Sequence, residues 1–275
     1  MVILVTGANG QLGQSIKKVE SNYPEFTFIY QNSQELDITN LDSCKVAFEK
    51  YKPQYCINTA AYTAVDKAES ESEKAFEVNV NGPKNLAQVC AEYDTVLVHV
   101  STDFIFDGTQ TKPYVETDTP NPTSVYGLTK LQGEQAIEKS WAKHYIIRTS
   151  WVFSEFGNNF MKTMIRLGNE RDSLSVVNDQ KGTPTYAPDL ADALLQICKS
   201  NNQAYGIYNY SNEGECTWFE FAQEIFNVNN ISIDLNPIPT TAYPTPAKRP
   251  AYSVLNKEKI KNTFNISIAP WQTRV

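Results

Sequence analysis

The sequence predicts an α/β protein: a doubly wound parallel sheet followed by a smaller C-terminal α/β subdomain. Three observations lead there. Over roughly the first 150 residues, short apolar runs alternate with helix-length segments, the signature of βαβ units. Runs such as VILV at 2–5 and TVLVHV at 95–100 are apolar on both faces, as strands covered on both sides must be. A turn carrying Gly7, Gly10 and Gly13 follows the first of these runs directly.

Each element can be justified in turn. Residues 2–5 form a β-type run that stops at Gly7, and 11–19 follow as a helix. A second strand at 26–30 leads to a helix over 41–51, ended by Lys52-Pro53. A short strand at 55–58 precedes a long helical region over 69–93, interrupted at Gly82-Pro83. The strand at 95–100 is the fourth, 124–139 is helical, and 145–148 is the fifth strand. The second half is less regular. Helices are expected at 159–169, 187–199 and 217–226, and strands at 173–177 and 206–210. Residues 236–250 hold five prolines and read as an ordered surface loop or a lid, because proline fixes φ and removes a donor.

Composition excludes several function classes. The chain has 275 residues, 41% hydrophobic and 20% charged, as a globular protein does. Its net charge of -7 disfavours nucleic acid, which wants a basic footprint. No stretch reaches the roughly 18 apolar residues that span a bilayer, so no membrane partner is expected. Two histidines, His99 and His144, leave little room for Ser-His-Asp chemistry or a His-rich metal site. The five cysteines form no CxxC pair, and neither a metal site nor a disulfide framework is expected. Met1 runs straight into the first strand without a signal peptide, so the expected location is cytoplasmic.

The glycine turn carries the first functional expectation. Glycines at 7, 10 and 13, between a strand and a helix, let the backbone turn sharply and approach a pyrophosphate. The helix start supplies free N–H groups and partial positive charge. This predicts a Rossmann-type NAD(P)-binding domain over 1–153, to which the chain returns around 173–212, with 154–275 mainly a substrate-binding subdomain. Strand two ends Ile29-Tyr30-Gln31-Asn32-Ser33, with no acid to take a ribose 2'-OH and no arginine. Without that acid nothing repels a 2'-phosphate; NADPH is the expected cofactor and NADH the alternative. Asp37, beside Ile38, either caps the helix from Leu41 or contacts the adenine end.

Tyr126 and Lys130 stand at i and i+4 and share one helix face. A phenol has a pKa near 10, and a cation within ~4–6 Å favours the phenolate by roughly one to three pH units. Spacing alone is a weak signal in a chain with 15 tyrosines. Position strengthens it, because the pair opens the helix after strand four, and that strand runs out through Ser101-Thr102-Asp103. In doubly wound sheets, ligands sit beyond the carboxyl ends of strands. Thr102 either satisfies its own turn or meets the tyrosine over a bound carbonyl.

These segments together resemble a known family. TGANGQLG, NTAAYTAVDKAE (58–69), NVNG (79–82), STDFIFDG (101–108) and YGLTK are similar to those of the extended short-chain dehydrogenase/reductases. RTSWVF (148–153), GNNF (157–160), NDQKGTPT (178–185) and AYPTPAKRPAYSVLN (242–256) narrow the resemblance to the dTDP-4-dehydrorhamnose reductase family, over nearly the whole chain. The resemblance implies reduction of the 4-keto group of a dTDP-sugar by NAD(P)H, with the dTDP-sugar as partner. It implies Tyr126 as proton donor, Lys130 on the nicotinamide ribose and keeping the phenol acidic, and Thr102 on the carbonyl oxygen. Gly10, Gln11 and Leu12 match the pyrophosphate turn, and Ala60, Ala61, Tyr62 and Thr63 the loop after strand three. Asp103 and Trp151 match substrate contacts, although Asp103 could be a helix cap and Trp151 core. Arg249 suits the substrate diphosphate, a guanidinium matching phosphate bidentately.

The chain departs from the family pattern in places. Some relatives dimerise through a magnesium ion held by glutamates; Ser15 and Pro188 stand at those positions, so a monomer or weak homodimer is expected and no metal. Tyr62 replaces a frequent histidine, and Val100 stands where some relatives have tyrosine. The family usually carries a further helix after the final Pro-Trp element, whereas four residues follow Trp271 here; truncation or absence of that helix is expected. Two alternatives stay open. One is a non-catalytic cofactor-binding relative, the regulatory subunit of methionine adenosyltransferase, against which the intact Thr102, Tyr126 and Lys130 set argues. The other is a different reaction on a nucleotide keto-sugar; a dehydratase would want two acids after Thr102, and only Asp103 is present before Phe104.

Overall fold

A computed structural model describes residues 1–275. In chain order, β1 (Val2–Thr6) leads to α1 (Gln11–Val19), β2 (Thr27–Gln31), α2 (Leu41–Tyr51) and β3 (Tyr55–Asn58). Helices α3 (Val65–Ala68), α4 (Ser72–Phe76) and α5 (Gly82–Glu92) precede β4 (Val96–Thr102), α6 (Val125–Ser140) and β5 (His144–Thr149). The second half comprises β6 (Val152–Phe153), α7 (Phe160–Glu170), β7 (Ser173–Val177), β8 (Lys181–Gly182), β9 (Thr185–Tyr186) and α8 (Ala187–Ser200). It ends with β10 (Gly206–Asn209), β11 (Cys216–Thr217), α9 (Trp218–Val228), β12 (Asp234–Ile238) and α10 (Glu258–Phe264).

Six strands form the central sheet in the order β10-β5-β4-β3-β1-β2, every pair parallel. It is the doubly wound α/β sheet expected from the alternating pattern. On one face α1 and α8 bury Ile16, Leu190 and Leu194 against Ile3, Val5, Ile57, Val98 and Ile147. On the other, α2, α5 and α6 bury Phe48, Leu86 and Ile137 against Leu4, Cys56, Leu97 and Ile146. Alternate residues of each strand thus enter opposite cores, which is why the runs read as continuously apolar. The chain reverses direction across the sheet at β1, which has β2 on one side and β3 on the other. The crevice beyond the carboxyl ends of β1 and β3 is where a ligand fits such a sheet. A third core joins α7, α9, β6 and β7 through Phe153, Met164, Val176, Phe221 and Ile225.

Two expectations are corrected. The helical region over 69–93 is not broken at Gly82-Pro83, because Pro83 lies in the first turn of α5, where its missing N–H costs nothing. The irregularity is one turn earlier, a π turn over Glu77–Asn81. There Asn79 turns its side chain away to bond the backbone of Tyr62 and the hydroxyl of Thr129. The proline-rich stretch is not all loop: β12 pairs with β7 in a separate two-stranded sheet. Pro237 is tolerated there because a two-stranded sheet consists of edges.

Helix α6 is tied to β5 by an ion pair inside the protein. Arg148 donates to Glu134 through Nε at 3.1 Å and Nη2 at 2.7 Å, and both side chains are at most 3% exposed. Its Nη1 donates to the Glu116 carbonyl at 3.2 Å. Breaking such a pair strands one charge in the interior. Arg148→Met is therefore expected to lower stability by about 3–5 kcal/mol. Combining it with Glu134→Leu should restore most of the loss, as read from urea unfolding midpoints; additive losses would refute the pairing argument.

Candidate active site

The glycine turn is a place of enforced backbone contact. Gly7 has φ +67°, and a Cβ there would stand 2.7 Å from the Ala60 nitrogen. A Cβ on Gly13 would stand 2.7 Å from the Ala8 Cα. Gly10 is the N-cap of α1 and offers no side chain to the first-turn N–H groups. A pyrophosphate fits this cradle, since it needs a close backbone and unpaired donors. Leu12 packs against the core beneath. Gln11 turns its side chain away from the cradle: Nε2 donates to the Val152 carbonyl, and Oε1 accepts from Ser154 and Asn159. It ties α1 to the segment after β5.

The loop after β3 is held at both ends by asparagines. The Ala60 N–H donates to Asn58 Oδ1 at 3.1 Å, and the Tyr62 N–H to Asn79 Oδ1 at 2.9 Å. Ala61 and Tyr62 are half-buried and Thr63 is exposed. Asp37 does not cap α2; Asn40 does, accepting from the N–H groups of Asp42 and Ser43. Asp37 instead closes a turn by accepting from Thr39, and Ile38 is buried beneath Gly82. At the end of β2 an acid missed in the sequence does arrive: Glu35 folds back to accept from the Asn32 N–H at 2.9 Å.

Beyond the carboxyl end of β4, three polar groups meet in a buried place. Ser124 caps α6 by accepting from the Gly127 N–H. Gly127 lets the first turn press on β4's exit, since a Cβ there would lie 2.2 Å from the Phe104 carbonyl. Tyr126 is thereby brought to Thr102, whose hydroxyl also donates to Asp103 Oδ1 at 3.1 Å. Lys130 is 2% exposed; its Nζ donates to the Val100 carbonyl at 2.7 Å and lies 3.3 Å from His99 Nε2.

The electrostatics differ from the lowered phenol pKa expected of the Tyr126–Lys130 pair. Burial pushes the Tyr126 phenol up to about 12, Thr102's hydroxyl pulling it down and the nearby Asp103 charge reinforcing burial. Lys130, turned toward β4, does not offset this, and burial brings its own pKa down to about 8. Tyr126 is therefore a protonated donor at neutral pH. Asp103 is buried with Oδ2 unpartnered, and burial pushes it up to about 6.

Trp151 takes φ +45°, unusual for a bulky residue. Its indole stacks on Trp218 at 3.6 Å between ring centroids and 8° between planes. On the other side lies Gly182, where a Cβ would stand 2.5 Å from the ring. Arg249 requires a correction: its guanidinium is not free for a diphosphate. Nη1 and Nη2 donate to the two oxygens of Asp66 at 3.1 and 2.7 Å, and Nη1 also reaches Thr245 and the Ala247 carbonyl. This half-exposed pair straps the loop after β12 onto α3. Trp218, Asn58 and His99 were not singled out from the sequence; Asn58 lay inside a quoted motif, which was the available signal.

The family model for the RmlD substrate binding domain matches residues 1–275. A dTDP-4-dehydrorhamnose reductase from Aggregatibacter actinomycetemcomitans is 42% identical, the match covering 98% of this chain and 95% of that protein. The crystal structure of a dTDP-4-dehydrorhamnose reductase from Clostridium acetobutylicum is similar with a TM-score of 0.95 and 42% identity, covering 99% of this chain and 96% of that one. One from Bacillus anthracis, in complex with NADP, has a TM-score of 0.95 and 38% identity, with the same coverage.

Two outcomes follow from this geometry. Gly182→Ala is expected to displace the Trp151 ring at a cost of about 1–3 kcal/mol. The circular-dichroism couplet of the stacked indoles should vanish while the helical signal stays; a retained couplet would contradict the close approach. Asp103 has a folded-state pKa above its unfolded one. Its contribution to stability is thus present below about pH 4 and lost as pH rises through about 6. Asp103→Asn should gain stability relative to the parent by roughly 2–3 kcal/mol between about pH 4 and pH 7 in thermal melts.

Proposed function

The chain belongs to the RmlD substrate binding domain family, and from that premise we propose that it reduces the 4-keto group of dTDP-4-dehydro-L-rhamnose to give dTDP-L-rhamnose, using NADPH. One observation carries the reading: a protonated, buried phenol and a threonine hydroxyl meet beyond β4, beside a side-chain-free cradle for a pyrophosphate. NADPH, when bound, supplies the hydride that goes to C4.

The chain's own residues do the rest. The Gly7, Gly10 and Gly13 turn accommodates the pyrophosphate, and the loop from Ala60 to Thr63 flanks it. Thr102 turns its one O–H from Asp103 Oδ1 to the keto oxygen, a bond that strengthens as negative charge builds there. Tyr126 gives its proton to that oxygen as the C–O double bond opens, so ketone becomes alcohol and the phenolate is reprotonated from water. Burial suits this role, because a phenol held up to about 12 is fully protonated through the neutral range. Lys130 holds the nicotinamide ribose. Trp151, its indole fixed between Trp218 and Gly182, sets a ring edge against the sugar, and Asp103 accepts from a sugar hydroxyl.

Tyr126→Phe should lower kcat by about 10²–10⁴-fold with NADPH binding retained, followed through loss of NADPH absorbance with dTDP-4-dehydro-L-rhamnose. An undiminished rate would remove Tyr126 as the donor. Absence of any oxidation by the unaltered protein, despite measurable NADPH binding, would refute the reductase reading.

A further inference from the structure

The side chain that opens α1 has no part in the mechanism above. Gln11 Nε2 donates to the Val152 carbonyl at 3.2 Å, and Oε1 accepts from Asn159 Nδ2 at 2.7 Å and Ser154 Oγ at 3.1 Å. The directions are forced. A carbonyl can only accept, so the NH₂ of Gln11 faces Val152. Asn159 Oδ1 takes the Lys162 N–H at 3.0 Å as the cap of α7, so its NH₂ faces Gln11. Gly157, at φ +62°, turns the chain over this carboxamide; a Cβ there would lie 3.6 Å from the Gln11 Cβ, in ordinary contact.

The segment so held is the crossing from the sheet to the third core. It begins at Trp151 with its positive φ; Val152 packs with the core beneath α1, Phe153 enters the third core, and Asn159 starts α7. Two further bonds fix its start: the Thr185 N–H donates to the Trp151 carbonyl at 3.2 Å, and Ser150 Oγ donates to the Thr183 carbonyl at 2.7 Å. Both lead to residues 183–185 and not to the glycine turn. Lys18 pairs with Glu155, but that pair is about two turns further along α1, and both side chains are well exposed, where an ion pair contributes little. Among these contacts, only those of Gln11 join the start of α1 to the residue beside Trp151.

We propose that the Gln11 side chain is a positioning group that couples the two halves of the crevice, so that cofactor in the glycine turn and sugar nucleotide at Trp151 each strengthen the other's binding. Gln11 is the first residue of α1, and its N–H has no partner within the helix. A pyrophosphate that takes this N–H fixes the Gln11 backbone, and the carboxamide passes that restraint to Val152, Ser154 and Asn159. A sugar seated at Trp151 restrains the same segment from its other end. Whichever ligand arrives first bears the ordering cost of the joined unit, and the second binds without it. The coupling is reciprocal by thermodynamic necessity. It rests on the places given above to the pyrophosphate and the sugar; the hydrogen bonds of Gln11 do not.

The test uses the intact protein with NADPH and dTDP-L-rhamnose, which are both reduced and do not react with one another. Fluorescence titration should show NADPH binding about tenfold more tightly when dTDP-L-rhamnose is saturating. Gln11→Met, which keeps the length and removes the amide, should bring that factor below about twofold. Asn159→Asp keeps the cap of α7 and loses the donation to Gln11; it should weaken the coupling too, and it serves if Gln11→Met fails to fold or to bind NADPH. Equal NADPH affinity with and without the sugar nucleotide in the parent, or an undiminished factor in either folded variant, overturns the proposal; a purely structural role would lower thermal stability and leave the factor in place. A second readout needs no sugar. The chain has four tryptophans; in 5-fluorotryptophan-labelled protein, with the Trp151 signal assigned by Trp151→Phe, 2'-phospho-ADP-ribose supplies the pyrophosphate without a nicotinamide. Its binding should shift the Trp151 fluorine signal in the parent and leave it unmoved in Asn159→Asp; an unmoved signal in the parent overturns the proposal. That shift with no binding of dTDP-L-rhamnose would refute the reductase reading and leave the coupling through Gln11 standing.

Discussion

Backbone crowding at the carboxyl ends of β1, β3 and β4 is the constraint from which the rest of the site follows. Four glycines stand where a Cβ would collide with another segment's main chain: Gly7 with Ala60, Gly13 with Ala8, Gly127 with Phe104 and Gly133 with Asn79. The last contact lies 2.1 Å from a virtual Cβ and falls on the π turn. The widened turn puts the Asn79 side chain within reach of Tyr62 and Thr129, and so fixes the loop after β3. Close approach of α6 to β4 then buries most of Tyr126 and nearly all of Lys130. Desolvation, more than any neighbouring charge, therefore sets both of their acidities.

This exclusion of water makes each remaining polar contact consequential. The interior holds an ion pair between Arg148 and Glu134, a carboxyl at Asp103 with an unpartnered oxygen, and a row of bonded side chains from Thr6 through Asn58 and His99 to Lys130. The first is closed and structural. The row is paired along its length, whereas the Asp103 carboxyl keeps one oxygen that a ligand hydroxyl can complete. A buried polar group without a partner is costly. Such groups stand at Asp103 beyond β4, and also at Ser101 of β4 and Asn209 of β10.

Much of this was legible in the amino-acid sequence because the signals are local. Apolar runs flanked by helix-length segments located β1 to β5, and glycine spacing located the cradle. Tyr126, Lys130 and Thr102 were visible from their position relative to those strands. What escaped depends on distant partners. Strands β6, β8, β9 and β11 have two residues each and exist only through pairing. Arg249 meets Asp66 across 183 positions of sequence, so nothing local foretold that its fork would be taken. The acidity of Tyr126 was misjudged for a related reason: helical spacing brings Lys130 to the same face, but the Val100 carbonyl and His99 decide where its ammonium points.

The strand order has a consequence for how the chain is made. β5 is buried at all six residues, and its outer neighbour β10 begins only at Gly206. When the first half has left the ribosome, β5 is an apolar sheet edge without a partner, the kind of edge that recruits other chains. The intervening segment contains α7, β7 and α8, so synthesis must continue past all three before the edge is covered. The nascent chain carries an unpaired edge over that interval, and a fragment ending near residue 150 keeps it permanently.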